Sequence, residues 1–127
     1  MEAVKIVNPQ RKILLSFLVL GVLLTGCRSD IYYWGHYEDL VYATYAKPDK
    51  ATPELQVQVM EHDMLEAQAA NKPLPPGFHA HLGYEYYLMG KNSLALQQFE
   101  LEKTKFPESA VFMDRMIAGL APKAAKE

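Results

Sequence analysis

The chain opens on a charged region holding Lys5, Arg11 and Lys12, then runs twelve mostly apolar, uncharged residues from Ile13 to Leu24. Past Asp30 the rhythm becomes helical. Tyr37, Leu40, Val41 and Thr44 recur at three- and four-residue intervals, and Pro48 disfavours helical geometry in the residue before it, so a helix is predicted from Tyr37 to Lys47 at the latest. A second helix is predicted from Pro53 to about Ala70. Thr52 can cap it, Pro53 suits its first position and Glu54 favours its positive end. Its apolar stripe is Val57, Met60, Met64 and Ala67, widened by Leu55, Val59 and Leu65, while Glu61, His62, Asp63 and Glu66 are expected on the polar face. Asn71 and Lys72, followed by Pro-Leu-Pro-Pro-Gly, stop it.

From Pro76 to Ser109 small, aromatic and proline residues fall at intervals that suit two antiparallel helices. Gly83 and Ala95 would let the pair approach, with Leu82, Tyr86 and Phe99 filling the space around them. The turn Met89-Gly90-Lys91-Asn92 separates the helices, Ser93 can cap the second, and Phe106-Pro107-Glu108-Ser109 ends it and begins another. In the same register Met113, Met116, Ile117 and Leu120 form the stripe of one covering helix. With Pro76 as its first position, the stretch resembles a 34-residue tetratricopeptide repeat at six of eight pattern places, departing at His79 and Glu102. Glu102 stands where a small residue normally faces the next helix, so either looser packing or an outward-turned carboxylate is expected there. A generic three-helix bundle with coincident spacing is the alternative. The register fails before Pro73, because Pro48 would fall inside a helix. The expected fold class is therefore all-α: a short αα-superhelix of about five helices, one tetratricopeptide-like repeat plus a capping helix.

The resemblance implies a concave side lined by Gly77, Ala80, Tyr84 and Tyr87, a shallow shelf for an extended peptide or partner helix. Equally open is that one of these tyrosines packs against the Pro53–Ala70 helix. The charged clamp that some such repeats use for carboxyl-terminal tails is not evident, since its place holds His81.

The apolar run is short of the roughly 20 residues that cross a bilayer and suits the core of a secretory signal. It leads into Leu24-Thr25-Gly26-Cys27, which resembles a bacterial lipobox; an uncleaved anchor with an incidental cysteine is the alternative. The resemblance implies diacylglycerol on the Cys27 thiol and an N-acyl chain after cleavage, giving lasting attachment at ~0.8 kcal/mol per buried CH₂. Arg28 follows, where an aspartate would imply inner-membrane retention, so the expected location is the outer membrane, lipid-anchored on its periplasmic side. The expected layout is a signal peptide over 1–26, a lipidated tether over 27–35, a helical domain over 36–120 and a flexible tail over 121–127.

Six aromatic residues lie between Tyr32 and Tyr45. They suit an intramolecular cap, a partner surface or contact with lipid headgroups. Tyr32, Tyr33 and Trp34 thus join Ala80, Tyr84 and Tyr87 as candidate partner-binding residues.

Composition narrows the function. The 127 residues carry a net charge of −2, which becomes −4 when residues 1–26 are removed with Lys5, Arg11, Lys12 and Glu2. That balance does not support nucleic-acid binding or a lysine-rich lipid patch. One cysteine excludes an internal disulfide and multi-cysteine metal sites. His79 and His81 are two apart and cannot chelate together on one helix, whereas His81 and Glu85 share a face but make only two ligands. His36, His62 and Asp63 would need a tertiary arrangement to meet. No phosphate loop, His-Glu-x-x-His helix or nucleophile elbow is present. No metal, no catalytic residues and no cofactor beyond the covalent lipid are expected.

The leader–cysteine unit, the YYWGHYEDLVY segment and the GYEYYLMGKNSLALQQFELEKTKFPES segment, in that order, resemble a family of small bacterial lipoproteins of uncharacterised function. Neighbouring genes in that family often encode lipoproteins like the curli secretion channel. Pilotin lipoproteins offer a looser comparison that transfers no residues. The resemblance implies a protein-interaction or accessory module in an outer-membrane or envelope assembly, not an enzyme. The rival expectation is binding of a small ligand, a lipid or peptidoglycan fragment, within Tyr32–Tyr45. A closed apolar pocket between that segment and the second helix would favour it, and a filled core there would count against it.

Overall fold

The structure, a computed structural model, describes Gln10 and residues 30–120. The expectations for Cys27, the apolar run and the 121–127 tail lie outside the described residues. Five α-helices form the compact unit: α1 (Tyr37–Ala46), α2 (Pro53–Ala69), α3 (Phe78–Leu88), α4 (Asn92–Lys105) and α5 (Ala110–Leu120), with a 3₁₀ turn at Pro107–Ser109 before α5. This is the expected all-α class. The unit begins at Ile31, so residues 31–35 belong to the folded body rather than to a tether.

Local chemistry explains where the helices end. The Thr52 hydroxyl accepts from the Leu55 N–H at 3.4 Å, with Pro53 in the first turn. Both α2 and α3 close in the same way. Asn71 and Gly90 adopt left-handed backbone, and Lys72 N donates to Ala67 O (3.0 Å) as Lys91 N does to Tyr86 O (2.9 Å). Ser93 is not a cap: α4 starts one residue earlier, with Lys91 at the cap position and no side-chain cap.

The pairs Gly77–Glu102, His79–Gln98 and Gly83–Ala95 run in opposite order along α3 and α4, so these two helices form an antiparallel hairpin. Gly83 is the point of closest approach. A Cβ there would lie 2.6 Å from Phe99 Cε1 and 3.2 Å from the Ala95 carbonyl oxygen. Around it Phe78, Leu82, Tyr86, Ala95 and Phe99 are buried, joined by Val57 and Met60 from α2, Leu40 from α1 and Met113 from α5. Met116, Ile117 and Leu120 pack against this core as the covering stripe requires.

Three polar positions behave otherwise than the apolar pattern predicts. Glu102 neither loosens the packing nor turns outward. It is buried, and its carboxylate accepts from the Gly77 N–H at 2.7 Å and the Ala80 N–H at 3.4 Å. Gly77 has φ +89° and no side chain, so the amino end of α3 is capped from the neighbouring helix. On α2, Leu55 and Leu65 stay exposed, whereas Gln56 and Asp63 are buried. The Gln56 amide donates to Ala51 O at 3.1 Å and its Oε1 accepts from the Thr44 hydroxyl at 3.2 Å, tying α1 to α2. Apolar periodicity marks a stripe; the pairing of buried polar groups decides which neighbours join it.

Replacing Glu102 with Ala should leave two amide groups at the start of α3 without their acceptor. A loss of about 2–3 kcal/mol of unfolding free energy is expected in urea titrations, with Glu102→Gln retaining part of it. An unchanged midpoint for Glu102→Ala would remove the cap from this account.

Candidate functional site

The aromatic segment wraps one end of the helices. The Tyr33 N–H donates to Pro73 O at 2.8 Å, Tyr32 meets Phe106 edge-on at 6.4 Å, and Trp34 stacks on Tyr37, which leans on Phe78. Tyr32 and Tyr33 are therefore half-buried, and Trp34 is just exposed. The turn that carries them closes on α2. Asp63, buried on α2, accepts from the His36 N–H at 2.7 Å and from His36 Nδ1 at 2.9 Å. Gly35 has φ +46°, and a Cβ there would lie 2.6 Å from the Asp63 carboxylate. The Gly35-His36 turn is a fastening on Asp63, which explains those two residue types without invoking a ligand, while Trp34 packs against Tyr32 and Tyr37.

The opposite edge of α3 is open. Ala80, His81 and Tyr84 share one face, bordered by Tyr45 at the end of α1 and by Phe112, Met113 and Met116 of α5. Together with Phe99 they enclose a cleft of about 400 Å³. Tyr45 is 84% exposed, Phe112 59% and Tyr84 43%, so large apolar surfaces stand at its rim. A second cleft of about 230 Å³ runs between α1 and α3, lined by Tyr37, Val41, Thr44, Tyr45, His81, Tyr84 and Glu85. The two share Tyr45, His81 and Tyr84 and form one trough across three helices. Glu85 lies along the second cleft. It is 2% exposed, its Oε1 faces His81 Nε2 at 3.2 Å, and its Oε2 has no hydrogen-bond partner among the described residues.

Of the predicted shelf, Ala80 and Tyr84 line this trough. Tyr87 stands at 6.3 Å from Tyr84, ring to ring, over a smaller hollow with Arg115, Met116 and Gly119. Gly77 is taken up by the α3 cap and by Tyr37, whose hydroxyl would meet an added Cβ at 2.9 Å. Tyr32, Tyr33 and Trp34 sit elsewhere, around Phe106 and Phe78, and do not line the trough. The tyrosine that reaches α2 is Tyr86: its hydroxyl donates to the Glu61 carboxylate, and burial with that bond pushes its pKa up to about 12. Sequence reasoning missed Tyr45, Phe112 and Glu85 as wall and floor. Phe112 lay one residue off the Met113 stripe, and that offset was its only signal.

Among the described residues no group of three or more His, Cys, Asp and Glu side chains could hold a metal ion. No helix among them is long and apolar enough to cross a membrane. A family model described as a domain of unknown function (DUF4810) matches residues 31–116, from the aromatic wrap to the trough wall at Met116. No curated protein and no solved structure matches the chain.

Two histidines give opposite pH dependences. The Asp63 hydrogen bond and charge raise the pKa of His36 above its ordinary 6.5. The folded chain holds that proton more tightly, so this stabilisation is complete below pH 6.5 and fades as pH rises through the raised value. His79 is buried, and burial lowers its pKa below 6.5 although Gln98 Oε1 lies 2.8 Å from its Nδ1. Its contribution is complete above pH 6.5 and fades as pH falls towards the lowered value. Urea midpoints measured between about pH 5 and 8 should therefore decline at both ends. His36→Asn should flatten the alkaline limb and His79→Gln the acid limb; an unchanged profile in either variant would contradict the assignment for that histidine.

Proposed function

The chain belongs to the DUF4810 family, a domain of unknown function, and from its own geometry we propose that it is a lipid-anchored module that grips an extended segment of a partner protein. The observation behind this reading is the open, largely apolar trough between α1, α3 and α5, with Tyr45, Tyr84 and Phe112 exposed along it. Aromatic anchors beside small residues such as Ala80 suit a bound segment that leaves its side chains in successive hollows. The lipobox-like Leu24-Thr25-Gly26-Cys27 supports lipid attachment through Cys27, and Arg28 after it supports the outer membrane, on its periplasmic side. The folded unit begins at Ile31, close after that cysteine, so the module would work near the lipid surface. An envelope assembly, such as one built on a lipoprotein resembling the curli secretion channel, is the corresponding partner class.

The small-ligand alternative drew on a closed pocket between the aromatic segment and α2. That contact is filled: Leu40 is buried in the same cluster as Val57 and Met60, and Thr44 bonds Gln56. The open trough favours a polypeptide over an enclosed ligand.

Two experiments address the two halves of this reading. A photo-crosslinking residue placed at Phe112 in the native lipoprotein should capture a defined envelope protein. Tyr84→Ala together with Tyr45→Ala should abolish the capture while leaving the thermal midpoint nearly unchanged, because both rings are exposed. Capture that survives both substitutions sinks the trough as the binding face. Separately, Cys27→Ser should abolish labelling by radioactive fatty acid and release the chain from membranes. Continued labelling would refute lipidation at that cysteine.

A further inference from the structure

The trough differs from an ordinary apolar groove at one atom. Buried carboxylate oxygens in a folded protein are almost always paired, because an unpaired one costs the full penalty of desolvation. Asp63 and Glu102 obey this rule, each accepting two hydrogen bonds. Glu85 does not. One of its oxygens faces His81, while Oε2 is without a partner among the described residues, and the side chain lies along the α1–α3 cleft.

The walls around that carboxylate are the rings of Tyr37, Tyr45 and Tyr84. A cation between tyrosine faces is attracted by the ring quadrupoles, and more strongly once water is displaced. No lysine or arginine among the described residues lines either cleft; the basic group beside the carboxylate is the His81 imidazole, which faces Oε1 and leaves Oε2 without a partner among the described residues. At about 230 Å³ the hollow is smaller than the roughly 300–1,000 Å³ of drug-sized sites and matches a single side chain. The larger hollow beside it, about 400 Å³ and lined by Phe112, Met113 and Met116, is apolar. The net charge of −2 over the whole chain also favours a basic visitor.

We propose that the α1–α3 cleft is a subsite for a basic side chain, an ammonium or guanidinium, that places its donors on Glu85 Oε2 between the tyrosine rings. A bulky apolar residue of the same segment fills the neighbouring hollow at Phe112. This inference rests on the reading of the trough as a peptide-binding face and gives that peptide its chemistry. Glu85 is the specificity residue, and the rings of Tyr45 and Tyr84 flank the visiting cation.

The test uses four short peptides, acetyl-Leu-Ala-X-Ala-Leu-amide with X as lysine, arginine, norleucine or, as a control expected not to bind, glutamate, titrated against the intact chain and followed by ¹H–¹⁵N shifts of Ala80, His81 and Tyr84. The arginine version separates ammonium from guanidinium. The lysine or the arginine peptide should bind about tenfold or more tightly than the norleucine peptide, the equivalent of one charge-assisted hydrogen bond. Glu85→Gln should erase that preference while leaving norleucine binding unchanged. Because Glu85 is buried, its variant is checked for native shift dispersion, and the exposed Tyr45→Ala provides a second variant that should weaken the basic peptide. Equal binding of the basic and norleucine peptides, or a preference that survives Glu85→Gln, overturns the subsite. So does the absence of binding by both basic peptides at millimolar concentration, in which case the carboxylate is satisfied by buried water only. Crosslinking at Phe112 to an envelope protein that persists after such a failure would leave the broader reading standing.

Discussion

The close approach of α3 and α4 at Gly83 is the constraint on which the rest of the structure depends. With the Phe99 ring lying where a side chain at Gly83 would begin, the two helices lie close enough for Ala95 to seal the contact. That proximity also brings Glu102 within 2.7 Å of the Gly77 amide, so the same hairpin that buries the core supplies the cap of its first helix. Move the helices apart and the cap, the Phe99 packing and the floor of the trough would all be lost together. Cooperativity here has a simple origin: several favourable terms share one distance.

Buried polar groups do the remaining positioning. Asp63 holds the Gly35–His36 turn, Gln56 joins α1 to α2, and Gln98 accompanies His79 inside the hairpin. Each directs a segment that apolar burial alone would leave free to slide, because hydrophobic contact is non-directional while hydrogen bonds have fixed geometry. The helix α1 owes its place largely to such side-chain links together with Leu40 and Tyr37. That arrangement leaves its outer face, with Tyr42 and Tyr45, unengaged by the core and turns Tyr45 towards the trough. Glu85 differs from the other two buried carboxylates, Asp63 and Glu102, in accepting from no backbone N–H, and it lies along the α1–α3 cleft.

Much of this was legible in the residues themselves. Pro48, Thr52-Pro53, Asn71, Gly90 and Pro107 act through their own backbone preferences, so the helix boundaries they mark agree with the observed ones to within a residue or two. Leu82, Gly83, Tyr86, Ala95 and Phe99 announced the hairpin because their spacing reports one face of each helix. Ser93 was misread for the reason that several residues near a helix start can cap it and only the backbone angles choose among them. Tyr84 and Ala80 were visible as a shelf, but their companions Tyr45 and Phe112 come from helices distant in sequence and carry no local mark.

What the sequence alone determined is therefore the helical class, the breaks between helices and the glycine–aromatic contact at the centre, all consequences of backbone preference and short-range periodicity. The tertiary structure decided the fate of the charged residues. Asp63 read as a polar-face position and proved to be a buried acceptor, Glu102 read as loosening the packing or turning outward and proved to cap α3, and Glu85 read as sharing a face with His81 and proved to lie buried along a cleft. A carboxylate's residue type is the same in water, at a cap or at the bottom of a hollow. Its role follows from which donors stand within three ångströms or so, and those donors lie up to 27 residues away along the chain.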